Sequence, residues 1–322
     1  MSIMKRFLLR VLLLCILCLG ILLGLSRGYL KLVGTDYLLY NDETLKFKTV
    51  PMNIQYAGFG SSHSGASFRT ELFPAQTAFN FSISGQSVVM DNVLYMLYRD
   101  HLAKNAVVAL TISPMTFYYD STGDMTHMKR YCNALPVSAL PNVKTKLYRL
   151  FRVLDFRFED ILEYYRTRSI TDYAAANAAD IKAGIRVNND KSLLNWEDWG
   201  AELATTHRKN LTSDPKDGIN DRVSKALHEM LSDCTKRGYR VALYTPPFTN
   251  FFWGSFDDEL KSQLRIDAMN TAEQYNIPYF DYSEDARFCQ NMSYFEDVDH
   301  MSKEGSAALI TILMADILAF YE

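Results

Sequence analysis

The sequence predicts a doubly wound α/β domain with a parallel sheet, set behind one apolar N-terminal helix. Three observations predict it. Strand-like runs alternate with helical runs, and the first three strands each stop at a small-residue turn: Gly60-Ser61-Ser62, Gly85-Gln86 and Ser113-Pro114. Ala106–Ile112 is continuous and rich in β-branched residues, as a strand buried on both faces requires. Val11–Leu25 is apolar throughout and follows Lys5, Arg6 and Arg10.

Composition narrows the function classes. The chain has 322 residues, 48% hydrophobic and 22% charged, with a net charge of −3, which fits a globular domain and favours no nucleic-acid partner. Of the five cysteines, Cys15 and Cys18 form a C-x-x-C inside the apolar run, where metal or redox chemistry is disfavoured. Cys132, Cys234 and Cys289 have no metal-ligand spacing.

Taken as a helix, Phe7–Leu25 spans roughly 28 Å, close to the hydrocarbon thickness of a bilayer. Positive charge on its N-terminal flank keeps that end cytoplasmic and exports the rest, so the expected location is a single-pass protein of the cell membrane with its domain extracytoplasmic. The sequence favours an uncleaved anchor; the competing reading is a cleaved signal peptide with Gly24 and Ser26 before the cut. The expected organisation is a cytoplasmic tip and anchor over 1–30, a stalk over 31–50, and one domain over 51–322 with an insertion at about 118–215.

Within that domain the first strand is expected over Met52–Gly60, a helix over Ser64–Phe73, and a second strand over Phe79–Ser84. Val88–Leu102 has helical spacing. The insertion breaks this rhythm. Val143–Arg168 reads as a long amphipathic helix whose polar side carries seven Lys/Arg against four acids. Its preferred reading is a helix packed on the core with a solvated outer face; the alternative is a helix lying on lipid or on a membrane partner. Trp196-Glu197-Asp198-Trp199 is read as local packing, or as a sugar-stacking platform. The sheet then resumes with a helix over Asn220–Arg237, a strand over Tyr239–Thr245, a helix over Glu259–Tyr275 and a strand over Ile277–Tyr282. Ser302 is a good N-cap for a last helix reaching Phe320.

In a doubly wound fold the loops at the carboxyl ends of the strands build the site, and Ser62, Gly85 and Ser113 all fall on that edge. A serine hydroxyl needs a base within reach, and the base needs an orienting carboxylate. Asp297-Val298-Asp299-His300 supplies both just before the last helix. Asp297, three residues from His300, is the preferred carboxylate, with Asp299 and Glu296 as rivals. Backbone N–H groups of Ser62 and Gly85 are expected to form an oxyanion hole. His63 is read as a first-turn helix residue beside the pocket rather than as the base, and Gln86 and Pro247 as further pocket residues. His101, His127 and His207 stand alone and read as ordinary histidines. His228-Glu229 lacks the second histidine of a zinc-protease helix, because position 232 is Ser. No glycine-rich phosphate or dinucleotide loop is present, so neither metal nor organic cofactor is expected.

These residues resemble the blocks of the SGNH/GDSL hydrolase superfamily. Gly60-Ser61-Ser62 is similar to the first block, with Ser in the middle position usually held by Asp; Gly85 is similar to the second-block glycine, and Asp297-x-x-His300 to the last block. The resemblance implies a flavodoxin-like three-layer α/β/α sandwich with Ser62, His300 and Asp297 as catalytic residues. Within the superfamily the chain is most similar to the membrane-anchored, DltD-like acyltransferase branch. The anchor, the Gly-Ser-Ser variant and Val108–Phe117 carry that likeness. It implies O-acyl transfer or ester hydrolysis on a cell-surface polysaccharide or teichoic-acid-like polymer, beside a multi-span membrane O-acyltransferase. The alternatives are an acylesterase acting alone and a non-catalytic assembly or polymer-binding module. Two positions depart from the pattern. His63 stands where the branch commonly has an acidic residue, and Ser113-Pro114 replaces the third-block Asn, making Ser113 the candidate third oxyanion donor.

Overall fold

A computed structural model describes residues 3–33, 43–74, 77–155, 158 and 195–322. The chain forms two compact units, Met1–Lys48 with Met128–Ala183, and Thr49–His127 with Gly184–Glu322.

The second unit holds the sheet. Its strands are β1 (Ile54–Phe59), β2 (Ala78–Asn80), β3 (Leu102–Thr111), β4 (Arg240–Thr245) and β5 (Tyr279–Asp281), all parallel, in the order β2-β1-β3-β4-β5. This is the flavodoxin-like order, and its winding reverses between β1 and β3. Ala106–Thr111 and Val241–Thr245 are buried without interruption, which explains why these strands read as continuous apolar runs rather than alternating ones.

The connecting helices are α2 (Ser62–Ser67), α3 (Val88–Tyr98), α6 (Trp196–Lys209), α7 (Asp221–Lys236), α8 (Asp258–Tyr275) and α9 (Lys303–Tyr321). α3, α7 and α8 pack side by side, and α2 packs with α9, the division between two faces that right-handed crossovers around the reversal in strand order produce. The expected cap holds: the Ser302 hydroxyl accepts from the Gly305 N–H at 3.2 Å. α9 is apolar and long enough to cross a bilayer, but Leu309, Leu313 and Ile317 are fully buried, as in a core helix. The helix expected over Ser64–Phe73 is instead the six-residue α2 followed by a 3-10 turn at Thr70–Leu72. The Asn80 side-chain amide donates to the carbonyls of Ser64 and Phe68, satisfying the helix end that would otherwise continue.

The first unit contains α1 (Ile3–Val33), whose Ile3–Tyr29 stretch is long and apolar enough to cross a membrane. It also contains most of α4 (Met125–Ala134), and α5 (Val143–Leu150). The long helix expected from Val143 stops at Leu150. Phe151 leaves helical geometry (φ −118°, ψ 55°), and the Val153 N–H donates to Ser26 Oγ of α1 at 3.3 Å instead of continuing the helical ladder. The expected remainder of that helix beyond Phe158 lies outside the described residues.

The preferred orientation of that helix is also corrected. Val143, Leu147 and Leu150 are exposed, at 70%, 47% and 44%, while Thr145 on the opposite side is fully buried. The Trp pair packs locally: Trp196 is buried at the start of α6 and meets Trp199 and Phe251 edge-on.

Candidate active site

The chain leaves β1 through Gly60, whose φ of +130° is a region closed to most side chains. Its N–H donates to Asp91 Oδ1 at 2.9 Å, so a carboxyl group on α3 fixes the turn from below. The Ser61 carbonyl accepts from Ser64 and Gly65, and α2 begins at Ser62. Ser67 Oγ donates to the His63 carbonyl at 2.6 Å, and Ser306 Oγ of α9 donates to the Ser67 carbonyl at 2.9 Å, which ties this short helix to the long one.

A cleft opens at the carboxyl edge where β1 and β3 part. It is lined by Ser61, Ser62 and His63 after β1, Gly85 and Gln86 after β2, Asp91 of α3, Thr111 and Ser113 at the end of β3, and His207 of α6. This is the topological switch point of the sheet, where open α/β folds place their ligands. Three of the predicted edge positions, Ser62, Gly85 and Ser113, therefore share one cavity. Neither the Ser62 nor the Gly85 N–H has a protein acceptor among the described residues. Gly85 adopts φ +70° in the Ile83–Gln86 turn, and the His127 ring lies against it, so close that a Cβ there would meet Cε1 at 2.5 Å.

The expected third donor fails. The Ser113 N–H donates to Thr116 Oγ1 at 2.7 Å, because the turn after β3 closes on its own side chain. Gln86 lines the cleft, but its amide donates to the Phe81 carbonyl and to Asp91 Oδ1, so it serves as framework. Pro247 is buried and is not among the residues lining this cleft; Phe248 beside it packs edge-on to His63.

The Asp297–His300 loop is a tight turn. An antiparallel bridge pairs Phe295 with Met301, and the Glu296 N–H donates to the His300 carbonyl at 2.9 Å. Asp297 Oδ1 accepts the N–H groups of Asp299 and His300, and its carboxylate meets His300 Nδ1 at 2.9 Å. Asp299, one of the two rivals, also takes part. Its Oδ1 lies 3.1 Å from the same His300 Nδ1, and its Oδ2 meets His63 Nε2 at 2.9 Å. Glu296 pairs with Arg69 instead. One buried carboxylate thus bridges two imidazoles, whose rings stack with centroids 5.3 Å apart.

His300 Nε2 and His63 Nδ1 have no hydrogen-bond partner among the described residues. Burial alone would lower the pKa of His300, but the Asp299 and Asp297 carboxylates outweigh it and hold the value well above the ordinary histidine range. Burial likewise opposes ionisation of Asp299, and the two imidazoles overcome it, leaving that carboxyl well below its ordinary value.

His300 and Asp297 are not among the cleft-lining residues, whereas His63 and His207 are. No hydrogen bond joins Ser62 to His300 among the described residues. His207, expected to be isolated, lies 5.7 Å from the His63 ring centroid, and burial pushes its pKa down to about 4, so it is neutral at physiological pH. His127, also expected to be isolated, packs on Gly85. Asp91 had no signal in the sequence beyond a lone acid in an apolar helix. Burial raises its pKa to about 7, against the hydrogen bonds from Gln86 and Gly60, and its Oδ2 has no hydrogen-bond partner among the described residues.

His63, Asp299 and His300 present ligand-type atoms within 4.8 Å of one another. The 2.9 Å contacts of His63 Nε2 with Asp299 Oδ2 and of His300 Nδ1 with Asp297 are hydrogen bonds, whereas Asp299 Oδ1 meets His300 Nδ1 only as an ion pair and has no hydrogen-bond partner among the described residues.

The chain matches no protein-family model and no curated protein. Among solved structures it is similar to the crystal structure of a putative acylhydrolase from Bacteroides fragilis, at 12% identity and a TM-score of 0.40, covering 88% of this chain and 99% of that one.

Proposed function

We propose that this chain is a serine-dependent acyl-transfer enzyme whose nucleophile is Ser62. The observation that carries the reading is the cleft at the switch point: it is lined by Ser62 and by two glycine-turn segments with N–H groups to spare, and its wall residue His63 shares a carboxylate with His300. In the reaction, Ser62 Oγ attacks an ester carbonyl while His300 Nε2 takes the hydroxyl proton. The N–H groups of Ser62 and Gly85 donate to the oxyanion, and collapse of the tetrahedral species returns the proton to the departing alcohol. A second alcohol, or water, then reverses these steps and frees the serine. Asp297 fixes the Nδ1–H tautomer of His300, and both carboxylates stabilise the imidazolium formed as the proton moves.

The likeness of Gly60-Ser61-Ser62 and Asp297-x-x-His300 to SGNH blocks supports the same roles. An apolar helix on the chain suits work beside a membrane, outside the cytoplasm, on an acylated cell-surface polysaccharide or teichoic-acid-like polymer. A multi-span membrane O-acyltransferase fits as the partner that delivers the acyl group. Acylesterase action without a partner uses the same chemistry with water as acceptor.

A non-catalytic polymer-binding module is the second reading, favoured by the missing Ser62–His300 hydrogen bond and by the absence of His300 from the cleft lining. In catalytic sites that bond often tightens only with substrate bound. The purified full-length chain in detergent is expected to release acyl groups from model esters, with Ser62→Ala lowering turnover by at least about a thousandfold. Equal turnover by Ser62→Ala and parent would reject the catalytic reading. Fast hydrolysis by the parent would favour the esterase, and slow hydrolysis accelerated by an added sugar alcohol would favour transfer.

A further inference from the structure

The first unit contains a helix built inside out for a water-soluble protein. α5 presents Val143, Leu147 and Leu150, spaced i, i+4 and i+7, as an exposed stripe, and buries Thr145 on the opposite side. Leu154, on the 3-10 turn that follows, is 69% exposed. An amphipathic helix in water has the opposite arrangement, because burying such side chains away from water is favourable.

The position of the stripe along α1 supplies the reason. α1 has 31 residues, about 46 Å of helix, which exceeds a hydrocarbon layer of about 30 Å. Its side chains stand exposed from Ile3 to Ile21, and Ser26 and Tyr29 are the first to be buried against protein. The exposed stretch of α1 therefore ends, and its contacts with protein begin, near Ser26. Ser26 Oγ is the group that accepts the Val153 N–H, at 3.3 Å, so the residues just after α5 sit at that depth. Lys144, exposed, and Lys146, partly exposed, flank the stripe, where long cationic side chains reach the phosphates of an anionic headgroup layer.

We propose that the Val143/Leu147/Leu150/Leu154 face rests in the headgroup–acyl boundary of the bilayer crossed by α1, making a second, interfacial membrane contact beside the anchor. The proposal rests on α1 spanning the membrane and is independent of the Ser62 chemistry. It has a simple use: a second contact removes the swivel freedom of a single-helix tether and holds the first unit at a fixed depth.

The test uses the full-length chain in vesicles of phosphatidylcholine and phosphatidylglycerol, without brominated lipid, with lipid brominated near the headgroup end of its acyl chains to report on position 150, or with lipid brominated near the chain ends to report on position 14. Tryptophan is introduced as Leu150→Trp, as Leu14→Trp within α1, and as Met269→Trp, an exposed position on α8; the emission of Trp196, Trp199 and Trp253 is subtracted using the parent chain. The expected result is blue-shifted emission from Leu150→Trp, quenched roughly twofold by brominated lipid, as for a side chain at the interface. Met269→Trp should be unaffected. Red emission from Leu150→Trp without quenching, alongside a quenched Leu14→Trp, overturns the proposal while leaving the anchor intact. Blue-shifted but unquenched emission also overturns it, by assigning the stripe to a protein contact. Unquenched Leu14→Trp removes the anchor and the proposal together.

Discussion

Asp91→Asn is the sharpest perturbation of the framework beneath the proposed nucleophile. The Asp91 carboxyl is fully buried, accepts from Gly60 and Gln86 through Oδ1 alone, and has its pKa raised by burial from 3.8 to about 7. A raised acid pKa means that the folded state holds a proton which the unfolded state has already lost. Stability from this group is therefore full below the unfolded value near 3.8 and falls as the pH rises to about 7. Over the whole window the loss is about 4 kcal/mol, and between pH 5 and pH 8 roughly 3 kcal/mol. Asn keeps both accepted hydrogen bonds and cannot ionise, but it buries an amide N–H₂ without a partner, costing about 1–3 kcal/mol at every pH. The expected result is a variant that gains on the parent by roughly 3 kcal/mol between pH 5 and pH 8. Denaturant unfolding of the detergent-solubilised chain across that range measures the difference, which cancels other titrating groups. A difference that stays constant from pH 5 to pH 8 would refute the claim that Asp91 is held neutral beneath the serine turn.

Two further outcomes follow from the site. Asp299→Asn removes the largest influence raising the His300 pKa, so the ascending limb of kcat/KM, which should lie above pH 6.5 in the parent because the base must first lose its proton, moves to lower pH; a pH–rate profile on a soluble ester checks this, and an unmoved limb would exclude His300 as the base. Gly85→Ala forces a Cβ into the His127 ring at φ +70° and should cost about 1–3 kcal/mol of stability along with most of the activity. Adding His127→Ala should recover the steric part of the stability loss and leave the backbone part, as thermal unfolding of the three variants would show.

The order of strands and helices was legible because each signal was local. β1, β3 and β4 are apolar runs ended by small residues or proline, and Ser302 caps α9 through a hydroxyl three residues from its partner. The contacts that complete the site were not local. Asp299 reaches His63 across 236 residues of sequence, and no spacing rule chooses between Asp297 and Asp299 when both touch one ring. His207 arrives from the segment that breaks the strand–helix rhythm, so nothing in its neighbourhood marked it. α5 was misjudged for a related reason: an amphipathic pattern tells which residues share a face, but not whether that face meets a core or something else. Its length was misjudged because a hydrogen bond from Val153 to a distant serine outcompetes one more turn of helix.

The most direct test of the central claim is covalent capture of the nucleophile. The full-length chain is treated with an alkyl fluorophosphonate near the upper end of its activity profile, digested, and examined by mass spectrometry. The account predicts one adduct, on Ser62, lost in Ser62→Ala and strongly slowed in His300→Ala. Absence of any adduct, an adduct on Ser61 or Ser64 instead, or labelling of Ser62 that is indifferent to His300 would contradict it.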